Sequence, residues 1–249
     1  MNLIFEIILL FSVGVITSFI NVMAGGGSTL TLPILIFLGL DAPVANGTNR
    51  LGILSQSIFG ALSFHNQKVS QIKLSIKLSL LTLPGAIIGA FYSTKIENEL
   101  FEKILGIVMI GIVITMLIPN SKTILRDKIS EKLPWLIYPS MFALGFYGGF
   151  IQVGIGFLLM TTLHNILKLN LVYVNYHKVF IVLVYTIPAL LIFIFTANVN
   201  WFYGISLSAG SGFGAWWAAK AAVRKGEKII KVILIITIII MSYELLLGF

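Results

Sequence analysis

The chain has 249 residues, of which 58% are hydrophobic and 10% charged, with a mean hydropathy of +1.01 and a formal net charge of +8. That composition excludes a water-soluble globular domain and predicts an integral membrane protein. The absence of cysteine removes disulfides, thiolate metal sites and a cysteine nucleophile.

Ten apolar segments follow one another along the chain, at 3–22, 29–40, 44–64, 78–92, 104–118, 133–150, 157–169, 179–196, 201–219 and 229–247. The first has no Lys or Arg before it and carries Glu6, so it reads as a mature membrane segment rather than a signal peptide. It stops at Ala24-Gly25-Gly26-Gly27-Ser28. A looser copy of that break, Val153-Gly154-Ile155-Gly156-Phe157, interrupts the stretch that opens the second half. The segment after each break spans only ~20 Å of a ~30 Å hydrocarbon core and does not cross alone as a straight helix.

Basic residues collect in the connectors holding Lys68, Lys73 and Lys77; Lys122, Arg126, Lys128 and Lys132; and Lys220, Arg224, Lys225, Lys228 and Lys231. These connectors are expected to be cytoplasmic, and that placement explains the positive charge without nucleic acid. The stretch 95–103 with Glu97, Glu99 and Glu102, and the uncharged 197–200, then face outside. Three apolar segments separate the inside connector at 121–132 from the outside one at 197–200. One of the three is too short to cross, so 133–169 is expected to enter and leave on one side as a re-entrant hairpin, and 3–40 likewise.

The expected fold is therefore an all-α polytopic membrane protein of two inverted repeats. Each repeat is a glycine-broken re-entrant hairpin followed by three transmembrane helices. The first repeat covers 1–120, with hairpin 3–40 and helices 44–64, 78–92 and 104–118. The second covers 133–249, with hairpin 133–169 and helices 179–196, 201–219 and 229–247, and both chain ends face outside. Internal similarity supports the division: Gly25 and Gly27 match Gly154 and Gly156 at an offset of 129, and Arg50 matches Lys178 at 128. Gly85 and Gly89 match Gly210 and Gly214 at 125.

Broken helices in corresponding places of two halves point to a transporter's binding site. A helix that starts after a glycine turn offers free N–H groups to an anion. The expected donors are Gly25, Gly26, Gly27, Ser28 and Thr29 from the first break, and Gly154 and Gly156 from the second. Asn49 and Arg50, and His177 and Lys178, open the helices that follow. A cation so near hydrocarbon either binds substrate or reaches the headgroups. Asn21 and Gln152, beside the breaks, are weaker candidates.

The run Asn21-Val22-Met23-Ala24-Gly25-Gly26-Gly27-Ser28, with Thr31-Leu32-Pro33, Gly39-Leu40 and Gly47-Thr48-Asn49-Arg50-Leu51, resembles the first repeat of the sulfite exporter TauE/SafE family. Gly145-Phe146-Tyr147-Gly148-Gly149-Phe150, with Val153-Gly154-Ile155-Gly156-Phe157-Leu158 and His177-Lys178, resembles its second repeat. Ile155 stands where the second repeat usually has glycine. The resemblance implies a multi-pass plasma-membrane transporter that works mainly as an exporter of sulfite or an organosulfonate. Transport by alternating access, without a cofactor or metal, is expected. An anion channel and an intramembrane enzyme are the rival classes; the chain lacks Gly-x-Ser-x-Gly, His-Glu-x-x-His and paired intramembrane aspartates. The expected partners are a small anionic substrate and the lipid bilayer. A coupling proton or sodium ion and a homo-oligomer stay open.

Overall fold

The computed structural model describes residues 3–117 and 133–247, so the basic connector expected at 121–132 lies outside the described residues. All regular structure in these two stretches is helical: α1 (Leu3–Ala24), α2 (Ser28–Phe37), α3 (Ala42–Asn66), α4 (Ile72–Ser93), α5 (Asn98–Leu117), α6 (Ile137–Phe150), α7 (Ile155–Leu167), α8 (Leu171–Phe195) and α9 (Trp201–Leu247). The all-α architecture read from the sequence is present.

Local chemistry sets the helix limits. α1 runs until Gly25, whose φ of 83° no L side chain adopts readily. α3 opens with Pro43 in its first turn, where the missing N–H costs nothing. α8 starts earlier than the apolar pattern suggested, at Leu171, because the Asn170 side chain caps it by accepting from the Val172 N–H at 2.8 Å. The short segments after the breaks become α2, of 10 residues, and α7, of 13. Neither is long enough to cross a ~30 Å core. Among the described residues α1, α4 and α8 are long and apolar enough to do so.

The segments expected at 201–219 and 229–247 are joined in α9, whose helix continues through Lys220 and Arg224 and is interrupted at Gly226, with φ 65° and ψ −159°. Only glycine occupies that backbone region comfortably. A methyl group there would meet nothing within 4 Å. Gly226→Ala should therefore lower stability by about 1–3 kcal/mol through backbone strain alone. A fall in the thermal midpoint of the detergent-purified protein would register it.

Two helix interfaces share one construction. α4 lies against α6, and α1 against α9. On the first, a Cβ at Gly85, Gly89 or Gly145 would strike the carbonyl oxygen of Phe142, Phe146 or Thr82. On the second, a Cβ at Gly210, Gly214 or Gly14 would strike that of Phe11, Val15 or Leu207. Backbones meet this closely only where side chains are absent, as at small-residue interfaces in lipid.

The outer surface carries bulky apolar side chains such as Ile8, Ile16, Leu80, Ile107 and Ile187, all exposed. Buried positions include Asn46, Asn49, Arg50, Gln56, Gln152, Asn175, His177 and Lys178. An apolar exterior around a partly polar interior suits a protein whose solvent is hydrocarbon.

Candidate functional site

The two breaks meet. The Phe157 N–H donates to the Gly25 carbonyl at 3.2 Å, and a Cβ on Gly25 would collide with the backbone of Gly156 and Phe157. Ser28 joins the same contact: its hydroxyl donates to the Gln152 carbonyl at 3.3 Å and accepts from the Gly154 N–H at 3.3 Å. The Thr29 hydroxyl turns back to the Gly26 carbonyl at 2.5 Å. Gly27 fits against the Thr17 carbonyl of α1, so the first break folds tightly over its own long helix.

Arg50 and Lys178 are 0% and 2% exposed, so both are enclosed by the protein. Each reaches across to the other half. The Arg50 guanidinium donates to the carbonyls of Gly148, at 3.2 Å, and Gly149, and its charge lies 4.5 Å from the centre of the Phe193 ring. The Lys178 ammonium donates to the carbonyls of Asn21 and Val22, at 2.9 and 2.7 Å, and to the Asn175 side-chain oxygen at 2.8 Å. Gly148 and Gly149 end α6; Asn21 and Val22 end α1. Each cation therefore sits on the last carbonyls of a helix, where the macrodipole is negative.

Two asparagines reinforce these caps. The Asn46 amide donates to the Phe150 carbonyl at 2.8 Å and to the Ser93 hydroxyl at 3.0 Å. Its counterpart Asn175 donates to the Met23 carbonyl at 3.4 Å. Among the described residues no Asp or Glu is buried, and the one ion pair joins exposed Lys103 and Glu99.

Beside Lys178 lies a small cavity with room for about one water, bounded by Asn21, Gln56, Gln152 and Gly156 and by apolar Ile53, Ile155, Val179 and Val182. Asn21 Nδ2 donates to Gln56 Oε1 at 3.1 Å, and Gln152 Nε2 to the Thr186 hydroxyl at 3.3 Å. Gln152 Oε1 has no partner among the described residues; nor does Asn49 Nδ2.

Of the residues expected at the site, Gly156 and Lys178 line this cavity, together with the weaker candidates Asn21 and Gln152. Gly25, Gly26, Gly27, Ser28, Thr29 and Gly154 form the meeting of the breaks, and Arg50 with Asn49 lies in the buried face of α3. His177 turns elsewhere: its Nδ1 is 2.8 Å from the Ser75 hydroxyl and its Nε2 3.1 Å from Gln71 Oε1, both at the start of α4. It bonds helix to helix. Sequence reading passed over Gln56, although a third amide in the run 44–64, after Asn46 and Asn49, is itself a signal. No cluster of three His, Asp or Glu residues suited to a metal exists among the described residues.

Comparison with known proteins identifies relatives along nearly the whole chain. Curated relatives include the probable membrane transporter protein ORF9 of Sinorhizobium, 28% identical over 95% of this chain and 91% of its own length. A probable membrane transporter protein of Haemophilus influenzae is 26% identical over 95% and 93%, and the probable membrane transporter protein YfcA of Escherichia coli K12 is 29% identical over 95% and 88%. No solved structure matches the chain. The family model described as sulfite exporter TauE/SafE matches residues 10–245. With that match covering nearly its whole length, the chain belongs to the TauE/SafE family of membrane transporters.

Proposed function

We propose that this protein exports a small oxyanion, of the sulfite or organosulfonate class, across the plasma membrane by alternating access. The observation that carries the reading is electrostatic. Two cations are buried between the halves, and no carboxylate is buried with them among the described residues. A buried charge without a counter-ion is costly, and a mobile anion would relieve that cost. The amides of Asn21, Gln56 and Gln152 and the Lys178 ammonium are the groups that would hold its oxygens.

The inverted-repeat arrangement, with both termini outside, is part of the same proposal. The contacts Gly85 to Phe142 and Gly210 to Phe11 are related by offsets of 125 and 131, and so are Gly89 to Phe146 and Gly214 to Val15. Reciprocal capping by Arg50 and Lys178 follows the same pattern. Such pseudo-symmetry supports rocking of one half against the other around a central site.

Thermal stability of the purified protein with sulfite, sulfate, sulfoacetate and acetate tests the ligand. A true ligand at ~100 times its Kd adds about 2.7 kcal/mol. Sulfite or sulfoacetate should raise the midpoint, and Gln56→Leu and Lys178→Gln should each remove most of that rise, measured from the variant's own unliganded midpoint. An undiminished rise in both variants defeats the site. In liposomes, uphill uptake driven by counter-substrate argues against a channel, and recovery of unaltered substrate argues against an enzyme.

A further inference from the structure

We infer that the face between α3 and α9 holds one anionic phospholipid, with an acyl chain in an apolar groove and its phosphate at the basic end of α9. The groove measures about 750 Å³, within the ~300–1,000 Å³ of small-molecule sites. Its walls include Phe59, Ile205, Phe213 and Trp217, all exposed. Its floor is recessed because Ala209 and Gly212 contribute almost no side chain there.

The register of the two helices aligns the groove with charge. The Ser55 hydroxyl donates to the Ser208 carbonyl at 2.7 Å, and that of Ser63 to the Trp216 carbonyl at 2.9 Å. α3 and α9 thus run parallel, and the end of α3 lies beside the turn of α9 that follows Trp217. That turn brings Lys220, whose ammonium sits 5.0 Å from the Trp217 ring centre, and the next brings exposed Arg224. Exposed Lys68, just past α3, belongs to the same end. The run 220–231 contains Lys220, Arg224, Lys225, Lys228 and Lys231 against Glu227 alone.

Lys220 and Arg224 continue the helical stripe of Ile205, Ala209, Phe213 and Trp217 at steps of three or four residues. One ligand that is apolar along the stripe and anionic past Trp217 satisfies both parts. Indole rings favour this boundary between hydrocarbon and headgroup, and each surface cation attracts an anionic lipid by about 1 kcal/mol. A free phosphate would leave the groove uncovered; a zwitterionic lipid would leave the cations without a net opposite charge.

Native mass spectrometry of the full chain, delipidated in detergent and then titrated with dioleoylphosphatidylglycerol or dioleoylphosphatidylcholine, tests the site. Inorganic phosphate serves as the headgroup-only control. The phosphatidylglycerol should be retained about tenfold better than the phosphatidylcholine, with phosphate failing to compete. Ala209→Phe fills the groove at an exposed position, and the double variant Lys220→Gln with Arg224→Gln removes the charge. Each should cut retention about fivefold or more. Phe213→Gln repeats the groove arm if Ala209→Phe does not fold. Equal retention of the two lipids overturns the proposal. So does loss of binding in the charge variant with none in the groove variants, which is plain surface attraction. A dimer that Ala209→Phe dissociates without altering lipid retention assigns the groove to a second copy and equally overturns it.

Discussion

Arg50→Ala should be the most destabilising single charge removal in the protein, by about 3–6 kcal/mol for two hydrogen bonds to a charged group. Alanine deletes two charge-assisted hydrogen bonds to the Gly148 and Gly149 carbonyls and the contact with the Phe193 ring. Hydrogen bonds to a charged group contribute ~1.5–3 kcal/mol each. It also strands two carbonyls at the end of α6, where no water from the bilayer replaces the donor. Arg50→Lys keeps the charge but offers a point donor in place of a planar fork, so it should recover only part of the loss. Unfolding of the detergent-purified variants measures both. A cost below about 1 kcal/mol, the size of an ordinary exposed pair, would show that the cap carries little.

Gly25→Ala should have an effect of similar or larger size through geometry alone. Its φ of 83° already disfavours any side chain, and the added Cβ would sit inside the backbone of Gly156 and Phe157. The breaks would have to separate, losing the bond from the Phe157 N–H to the Gly25 carbonyl. Overpacking of this kind costs ~1–3 kcal/mol, and the strained backbone adds to it. Low yield of folded protein or a midpoint far below that of the parent is expected. Gly39→Ala is the control, because Gly39 also has positive φ, 91°, yet a Cβ there would meet nothing within 4 Å. Equal effects from the two variants would assign the whole loss to backbone conformation and none to the contact.

Much of this arrangement is legible in the sequence because membrane solvation punishes exceptions. Glycine runs inside apolar stretches marked both breaks, and cations beside them marked Arg50 and Lys178. The partners of those cations are not legible, since the acceptors are main-chain carbonyls, which every residue possesses. His177 carried an ambiguous signal for a different reason: a polar side chain next to Lys178 in sequence points about 100° away from it around the helix. The fate of 220–225 was masked by its charge, which reads as a loop between spans but is compatible with helix once lysines and arginines extend from the surface. Gln56 does not stand out among the other polar residues of 44–64, Asn46, Asn49 and Arg50 among them, and only the neighbouring Asn21 and Lys178 give it meaning.

The reciprocal caps also impose an order on biogenesis. Lys178 emerges from the ribosome after its acceptors, Asn21 and Val22, are already made. Arg50 precedes its own, Gly148 and Gly149, by 98 and 99 residues. At ~5–20 residues per second, the nascent first half holds an uncapped arginine for several seconds. On translocon scales an arginine costs at most about 2.5–3.5 kcal/mol, the figure for a helix centre, and Arg50 lies nearer the start of α3. The first half is therefore an incomplete folding unit, dependent on the second for a place to put its charge, whereas the second half arrives to find its socket already built.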